Sequence, residues 1–402
     1  MQVQTVSNTF TNTLSSGNRI QTIDILRGLL IVLMALDHVR DFFMQNAFAF
    51  SATDPEKASV ALFATRWITH LCAPGFVWLA GVSAFIYAKK NGIRKTSLFL
   101  FSRGLILILL ELTVVKVGWH FNFDYSQVGL LVIWALGLSM VLLAAACWLQ
   151  QQTLFILGVL IIACHNFLDG IQFTEASGIG ALLWHILHQS GVVKLSEHFS
   201  VFVLYPVLPM FGLICLGYGM GSLFTNDTKE QRIPLFKRVS LLLLIAFVSI
   251  RLINMYGDLH AWVYNQYFYR TVFSFLDVTK YPMSLDYILI TLSVLFYIIY
   301  IIEKRTLWID TYLALFGKVS MFFYLAHIFL IHSLAVVAFI ATHIDEFTSN
   351  TEIDMRALTD NYGYPLIAVY PIWIGVLIVL YPICKKYKTL KTTYPDSLLK
   401  FL

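Results

Sequence analysis

Residues 24–41 read Asp24-Ile-Leu-Arg27-Gly28-Leu-Leu-Ile-Val-Leu-Met-Ala-Leu-Asp37-His38-Val-Arg40-Asp41. Eight consecutive apolar residues separate Gly28 from Asp37. The run 23–43 is long enough to cross a bilayer as a helix, which takes about 20 residues. Its charges are misplaced for a segment that faces lipid. A charged side chain within a span costs several kcal/mol, so such groups face a bundle interior and have partners. Asp24 and Arg27 are three apart and can pair along one face. Arg27 and His38 are eleven apart, close to three whole turns, so both point the same way, roughly 16 Å apart along the axis. One face thus offers a fixed cation near one end and an imidazole near the other. Asp37 lies about 100° round from His38 and is directed toward His70 or the Arg40–Asp41 end.

The composition agrees with that reading. Of 402 residues, 58% are hydrophobic and 13% charged, with a mean hydropathy of +0.73. Soluble domains run nearer 45–50% apolar and about 25% charged. The expectation is an all-α, polytopic integral-membrane helix bundle forming a single domain over 1–402. A secreted domain, a disordered chain and a nucleic-acid binder are excluded. The five cysteines are scattered, with no CxxC, and read as small hydrophobes. Segment 1–22 is polar and has no apolar core, so no cleavable signal peptide is expected.

Ten spans follow from apolar length: 23–43, 65–88, 97–117, 128–149, 153–167, 202–224, 239–256, 283–302, 312–342 and 365–384. Segment 179–188 reads as an interfacial helix. Lys and Arg in short loops set orientation. Lys89, Lys90, Arg94 and Lys95 follow span two; Lys229, Arg232, Lys237 and Arg238 follow span six. Lys304 and Arg305 follow span eight, and Lys385, Lys386, Lys388 and Lys391 lie in the basic tail 385–402. Ten spans put all four groups on one side, with both termini cytoplasmic. The loop after span nine, with Asp345, Glu346, Glu352, Asp354 and Asp360, falls on the other side. On this topology all 11 histidines lie in outer halves of spans or outer loops, where proton chemistry near neutral pH would be useful.

The arrangement Arg27-x10-His38, preceded by Asp24, resembles the signature helix of a large superfamily of membrane acyltransferases. Further stretches resemble one branch, the heparan-alpha-glucosaminide N-acetyltransferase-like proteins. They are Ile23-Asp-Ile-Leu-Arg-Gly28, then Thr65-Arg-Trp-Ile-Thr-His-Leu-Cys-Ala-Pro-Gly-Phe-Val-Trp-Leu-Ala-Gly-Val-Ser-Ala84, then Tyr205-Pro-Val-Leu-Pro-Met-Phe-Gly212 and Lys280-Tyr-Pro-Met-Ser-Leu285. The last is Phe316-Gly-Lys-Val-Ser-Met-Phe-Phe-Tyr-Leu-Ala-His-Ile-Phe-Leu-Ile-His332. The resemblance implies a helix bundle that uses cytoplasmic acetyl-CoA and acetylates an amine or hydroxyl of a glycan on the far side. One departure matters. The eukaryotic sugar acetyltransferases of this type carry Asn where this chain has His38, and their catalytic His lies in the following loop. Here that loop, 39–64, holds no His. The role of His38 is therefore implied by the wider superfamily instead.

Around this helix the candidate catalytic residues are His38, Asp37, His70 and His327. The candidate donor-binding residues are Arg27, Asp24, Arg66, Lys318 and Tyr324. Arg66 and His70 share a face before the break at Pro74-Gly75, which would bring His70 beside His38. Tyr324 and His327 share a face three residues apart. Glu111 and Lys116 read as a pair or as ties between helices, and Asp169 with His165 likewise. Arg251, Arg270 and Lys280 read as anchors or as binders of an anionic group. His185, His188 and His198 lack partnering Cys or an acidic third ligand, so no metal is expected. There is no phosphate loop, HExxH or GxSxG.

The function expected is acyl transfer from cytoplasmic acyl-CoA, with acetyl-CoA as donor, to a glycan or amino sugar on the outer side. The alternative is a proton-coupled transporter or flippase of a small polar or acylated molecule, since intramembrane Asp, Arg and His serve both. The partners expected are the lipid bilayer, acyl-CoA and a carbohydrate acceptor, with a homodimer admitted and no nucleic acid. The location expected is a bacterial inner membrane.

Overall fold

The computed structural model describes residues 21–173, 177–342 and 362–394. The acidic loop after span nine, the polar segment 1–20 and the end of the tail lie outside them. Among the described residues, ten helical passages cross the bundle. Eight are long and apolar enough to span a membrane by length and composition. The others are α1 (Gln21–Phe43), which carries the charges described above, and the short α6 (Val132–Ala146). The second passage is two helices, α2 (Val60–Thr69) and α3 (Cys72–Asn91), interrupted at His70–Leu71. Pro74 falls in the first turn of α3, where its missing N–H costs no helical hydrogen bond.

The third passage is α4 (Ile93–Leu110), a π-helical turn over Glu111–Val115, and α5 (Lys116–His120). The fifth is α7 (Gln151–Cys164) with a 3-10 turn to Leu168. The short apolar α8 (Gly178–Leu187) occupies the expected interfacial segment. Then come α9 (Val207–Met220), α10 (Lys229–Ile253), the loop helix α11 (Phe268–Leu276) and α12 (Leu285–Lys304). The ninth passage is again split, into α13 (Asp310–Lys318) and α14 (Ser320–Thr342). The last helix, α15 (Leu366–Thr393), runs beyond the expected span end and carries Lys385, Lys386, Lys388 and Lys391 on its final turns.

Two expected spans begin late. Residues 128–131 and 202–206 are not helical; they belong to a small sheet. Strands β1 (Gln127–Leu130), β2 (Gly191–Ser196) and β3 (Phe199–Val203) pair in the order β1-β3-β2, with β1 parallel and β2 antiparallel to β3. The Val-rich segments 192–193 and 201–203 look like the end of a span in hydropathy, but β-branched residues in alternation fit a half-buried strand. Pro206 then precedes α9 and fixes its start.

Burial sorts the helices. In α9 78% of the most apolar window is buried, but in α10 and α15 only 17%. The outward faces of α10 and α15 carry Leu241, Leu242, Ile245, Ile374 and Ile378 exposed. That is the surface a hydrocarbon solvent demands, and the chain is a multi-pass integral membrane protein. Helix α1 runs through the middle, packed on α2, α3, α12, α13, α14 and α15. Its contact with α13 is so close that a side-chain carbon on Gly28 would strike the Leu313 carbonyl, and one on Gly317 the Asp24 carbonyl. Only glycine permits that approach.

Candidate active site

A cavity of about 990 Å³ runs alongside α1. Asp24, Arg27, Ile31, Met34, Asp37 and His38 line it in succession. The eleven-residue spacing thus does what the helical period requires, and Arg27 and His38 face one space. Its middle is apolar, with Ala73, Phe76, Val77, Leu107, Ile133 and Met140 in the wall. Both ends are polar.

At the His38 end, His38 Nδ1 lies 2.7 Å from His327 Nε2. His327 Nδ1 lies 3.0 Å from the Phe323 carbonyl oxygen, which only accepts, so His327 donates there. Neutral His327 then has its lone pair on Nε2, and His38 must donate from Nδ1. That leaves the lone pair of His38 on Nε2. His38 is partly exposed and lines the cavity, whereas His327 is wholly buried behind it. Trp119 packs edge-on to the His38 ring at 4.9 Å between centroids, and Tyr324 at 6.3 Å. The interrupted ninth passage makes this possible: α14 restarts at Ser320 and carries Tyr324 and His327 inward on one face.

At the other end, Arg27 donates to Ser83 Oγ at 2.9 Å and pairs with Asp24 at 3.5 Å. Arg103, Lys318 and Lys391 line the same end. Tyr87 and Phe99 stack there at 4.5 Å, and the Arg103 guanidinium lies 5.9 Å over Phe99. Arg103 was legible as a lone Arg inside an apolar run, a recognised sign of function within a span, but nothing local tied it to Arg27.

Near His38 the polar groups form a network. Asp37 accepts from Arg66 and pairs with Arg40 at 3.4 Å; Arg40 also bonds Asp41. Arg66 therefore sits with Asp37, not at the Arg27 end. The loop before α12 adds Lys280 and Tyr281, the latter edge-on to Tyr205 at 4.9 Å. Burial by itself would raise the Tyr281 phenol, but Lys280 and Arg66 hold it below the usual tyrosine range.

Several expectations are corrected. His70 is not brought beside His38. It ends α2, is buried edge-on to Tyr287 at 5.4 Å, and is not part of the cavity wall. Of the two readings for Glu111, a pair with Lys116 or a tie between helices, the second holds. The π turn directs Glu111 to the start of α6, where its carboxylate accepts from the Ile133 and Trp134 amides at 2.8 and 3.0 Å. Lys116 lies over the Tyr125 ring at 4.8 Å. Arg251 binds no outside anion: it is buried and donates to the carbonyls of His260, Ser274, Phe275 and Asp277, tying down the outer loop. Arg270 is paired with Glu56. His188 pairs with Asp169 at 2.8 Å and abuts His165. Among the described residues no cluster of three or more His, Cys, Asp or Glu is placed to hold a metal ion.

No curated protein matches the chain. Residues 19–257, more than half of it, match the family described as heparan-alpha-glucosaminide N-acetyltransferase, catalytic. The match includes Arg27, Asp37, His38 and Arg66, and stops before His327, Lys318 and Tyr324. With a membrane bundle built round the Arg27–His38 face, the chain belongs to this family of membrane acetyltransferases.

Proposed function

We propose that the protein moves an acetyl group from acetyl-CoA, taken from the cytoplasmic side, to an amine or hydroxyl of a glycan or amino sugar on the outer side. The observation that carries this reading is the His38–His327 hydrogen bond at one end of a cavity whose other end gathers Arg27, Arg103, Lys318 and Lys391. The basic loops put the Arg27 end in the cytoplasm. There the cations would hold the CoA phosphates, and the Tyr87–Phe99 pair offers an aromatic face to the adenine. The pantetheine arm would follow the apolar middle over the roughly 16 Å between Arg27 and His38.

His38 Nε2 is the general base. It takes the proton of the acceptor amine or hydroxyl as that atom attacks the thioester carbon. The new C–N or C–O bond forms, the C–S bond breaks, and the leaving CoA thiolate takes the proton back from the His38 imidazolium. Such a base contributes about 10²–10⁴-fold. His327 accepts from Nδ1 throughout and so keeps the reactive nitrogen turned to the cavity. The transporter reading uses the same buried charges, and no observation favours it.

The test is CoA release in sealed vesicles, with acetyl-CoA on the cytoplasmic face and glucosamine on the other. Release that is lost in His38→Ala is expected. Normal turnover in that variant, or consumption of donor from the outer face alone, would overturn the reading.

A further inference from the structure

The lipid-facing stripe of α10 does not stop where the helix stops. The helix starts at the basic end of the bundle with Lys229, Arg232, Lys237 and Arg238. Leu241, Ile245, Val248 and Leu252 then follow at helical spacing, all exposed, to the opposite end. The connecting loop beyond it stays apolar. Met255 is 88% exposed, Tyr264 81% and Phe268 78%, and Val263, Tyr267 and Val272 are exposed with them. Segment 255–272 carries two formal charges, Asp258 and Arg270. Asp258 accepts from the Thr279 amide at 2.8 Å and the Ser284 hydroxyl at 2.6 Å. Arg270 pairs with Glu56.

The loop is fastened to the end of α10. The Asn254 side chain donates to the Trp262 carbonyl and accepts from the Trp262 amide, each at 2.9 Å. The Trp262 indole donates to the Arg251 carbonyl at 2.8 Å. In α11, Ser274 accepts from the Val263 amide at 2.9 Å, and Phe273 stacks on Phe63 of α2 at 3.9 Å. The inner face of α11 is thus taken by protein, while Phe268 and Val272, four residues apart, project from the other face.

We infer that residues 255–272 are a membrane-interface anchor: the loop lies at the headgroup and upper acyl level of the leaflet opposite the basic loops. Contiguous exposed apolar surface of this kind marks an interaction site. Its continuity with the lipid face of α10 points to lipid as the occupant. Tyr and Phe with aliphatic neighbours are the mixture that suits the membrane–water boundary. A sugar-stacking surface would need polar groups to clasp hydroxyls, and those nearby are spent: Asn265 donates to Glu56 and accepts from the Tyr267 amide, and Arg270 donates to Glu56 and Tyr269. The anchor also reaches the cavity. Glu56 belongs to the loop after α1, whose Phe48, Phe50 and Ala52 line the cavity wall. The lipid surface therefore helps to hold the segment that borders the His38 end.

The test places a nitroxide label at Tyr264→Cys or Phe268→Cys in the full chain, in vesicles of phosphatidylethanolamine and phosphatidylglycerol. Its collisions with oxygen, which concentrates in lipid, are compared with those of a nickel chelate, which stays in water. Cys164→Ala is the background, because Cys164 is exposed and the other four cysteines are buried. Ile245→Cys on the lipid face of α10 and Glu197→Cys at the exposed β2–β3 turn are the references. At both loop positions oxygen collisions should exceed nickel collisions, as at Ile245→Cys. An excess of nickel collisions, as at Glu197→Cys, would overturn the anchor and leave a water-facing surface open to a glycan. Few collisions with either reagent would overturn it in favour of a second copy of the chain. Both side chains are largely exposed, so neither label displaces core packing. The readout needs no turnover and stands apart from the acyl-transfer reading.

Discussion

His38 Nδ1 and His327 Nε2 are 2.7 Å apart, although 289 residues separate them in the chain. Helices α1 and α14 therefore share one proton-bearing contact at the end of the cavity. Its polarity is set from behind by the Phe323 carbonyl, which holds the proton of His327 on Nδ1. The consequence is a single tautomer for neutral His38, with its basic nitrogen facing the cavity. When His38 takes a proton, the same contact becomes a hydrogen bond from a charged donor, the stronger kind.

Removing His327 should slow the reaction without abolishing it. A hydrogen bond to a charged group is worth ~1.5–3 kcal/mol, which converts to about tenfold to a hundredfold in rate. His327→Ala should lower kcat by that factor and leave the KM for acetyl-CoA near wild type. His327→Gln, whose carbonyl can still accept from Nδ1, should recover part of the loss. Steady-state CoA release measures both, and an unchanged kcat in His327→Ala would contradict the orienting role.

The inner cations should discriminate by phosphate. Arg27→Gln and Arg103→Gln should each raise the KM for acetyl-CoA about tenfold, the loss of one charge-assisted contact. Acetyl-pantetheine, which lacks the nucleotide phosphates, should be used equally well by wild type and by both variants. A comparable loss with acetyl-pantetheine would place these arginines elsewhere in the mechanism.

Asp37 should matter first for stability. It faces Arg66 and Arg40, with side-chain exposures of 16% and 5%. Asp37→Asn leaves those cations without their counter-charge, and breaking a buried pair costs about 3–5 kcal/mol. The thermal midpoint in detergent should fall clearly. Adding Arg66→Gln to Asp37→Asn should restore part of it, as a double-mutant cycle would register. Strict additivity of the two losses would show that the residues do not act as a pair.

The α1–α13 contact should tolerate no side chain. Gly28→Ala forces a carbon against the Leu313 carbonyl, and overpacking of this kind costs about 1–3 kcal/mol. Because Arg27 is the neighbouring residue, the displacement should also raise the KM for acetyl-CoA. Gly375→Ala, where a side-chain carbon meets nothing within 4 Å, is the control and should change neither quantity.

Much of the site was legible locally. The helical period put Arg27 and His38 on one face, and both line the cavity. The share of a face by Tyr324 and His327 was equally readable, and both stand against His38. His70 was not: its spacing from Arg66 assumed one continuous helix, and the chain interrupts it at that residue. For Arg251 the sequence left anchoring and anion binding both open, because it shows a charge but not the four carbonyls that consume its donors. The strands escaped notice because a half-buried β-branched segment and the end of a span have the same hydropathy.

By itself the sequence determined the membrane class, the ten passages and the inward face of α1. These follow from apolar length and from a period of 3.6 residues, both properties of a local segment. Only the tertiary structure decided that His327 backs His38 and that Arg103 joins Arg27. In lipid, apolar side chains gain little by choosing one neighbour over another, so helix partners are set by close backbone contacts such as Gly28 on Leu313 and by polar pairs across the bundle. Those are relations between distant segments, and no window of sequence contains them.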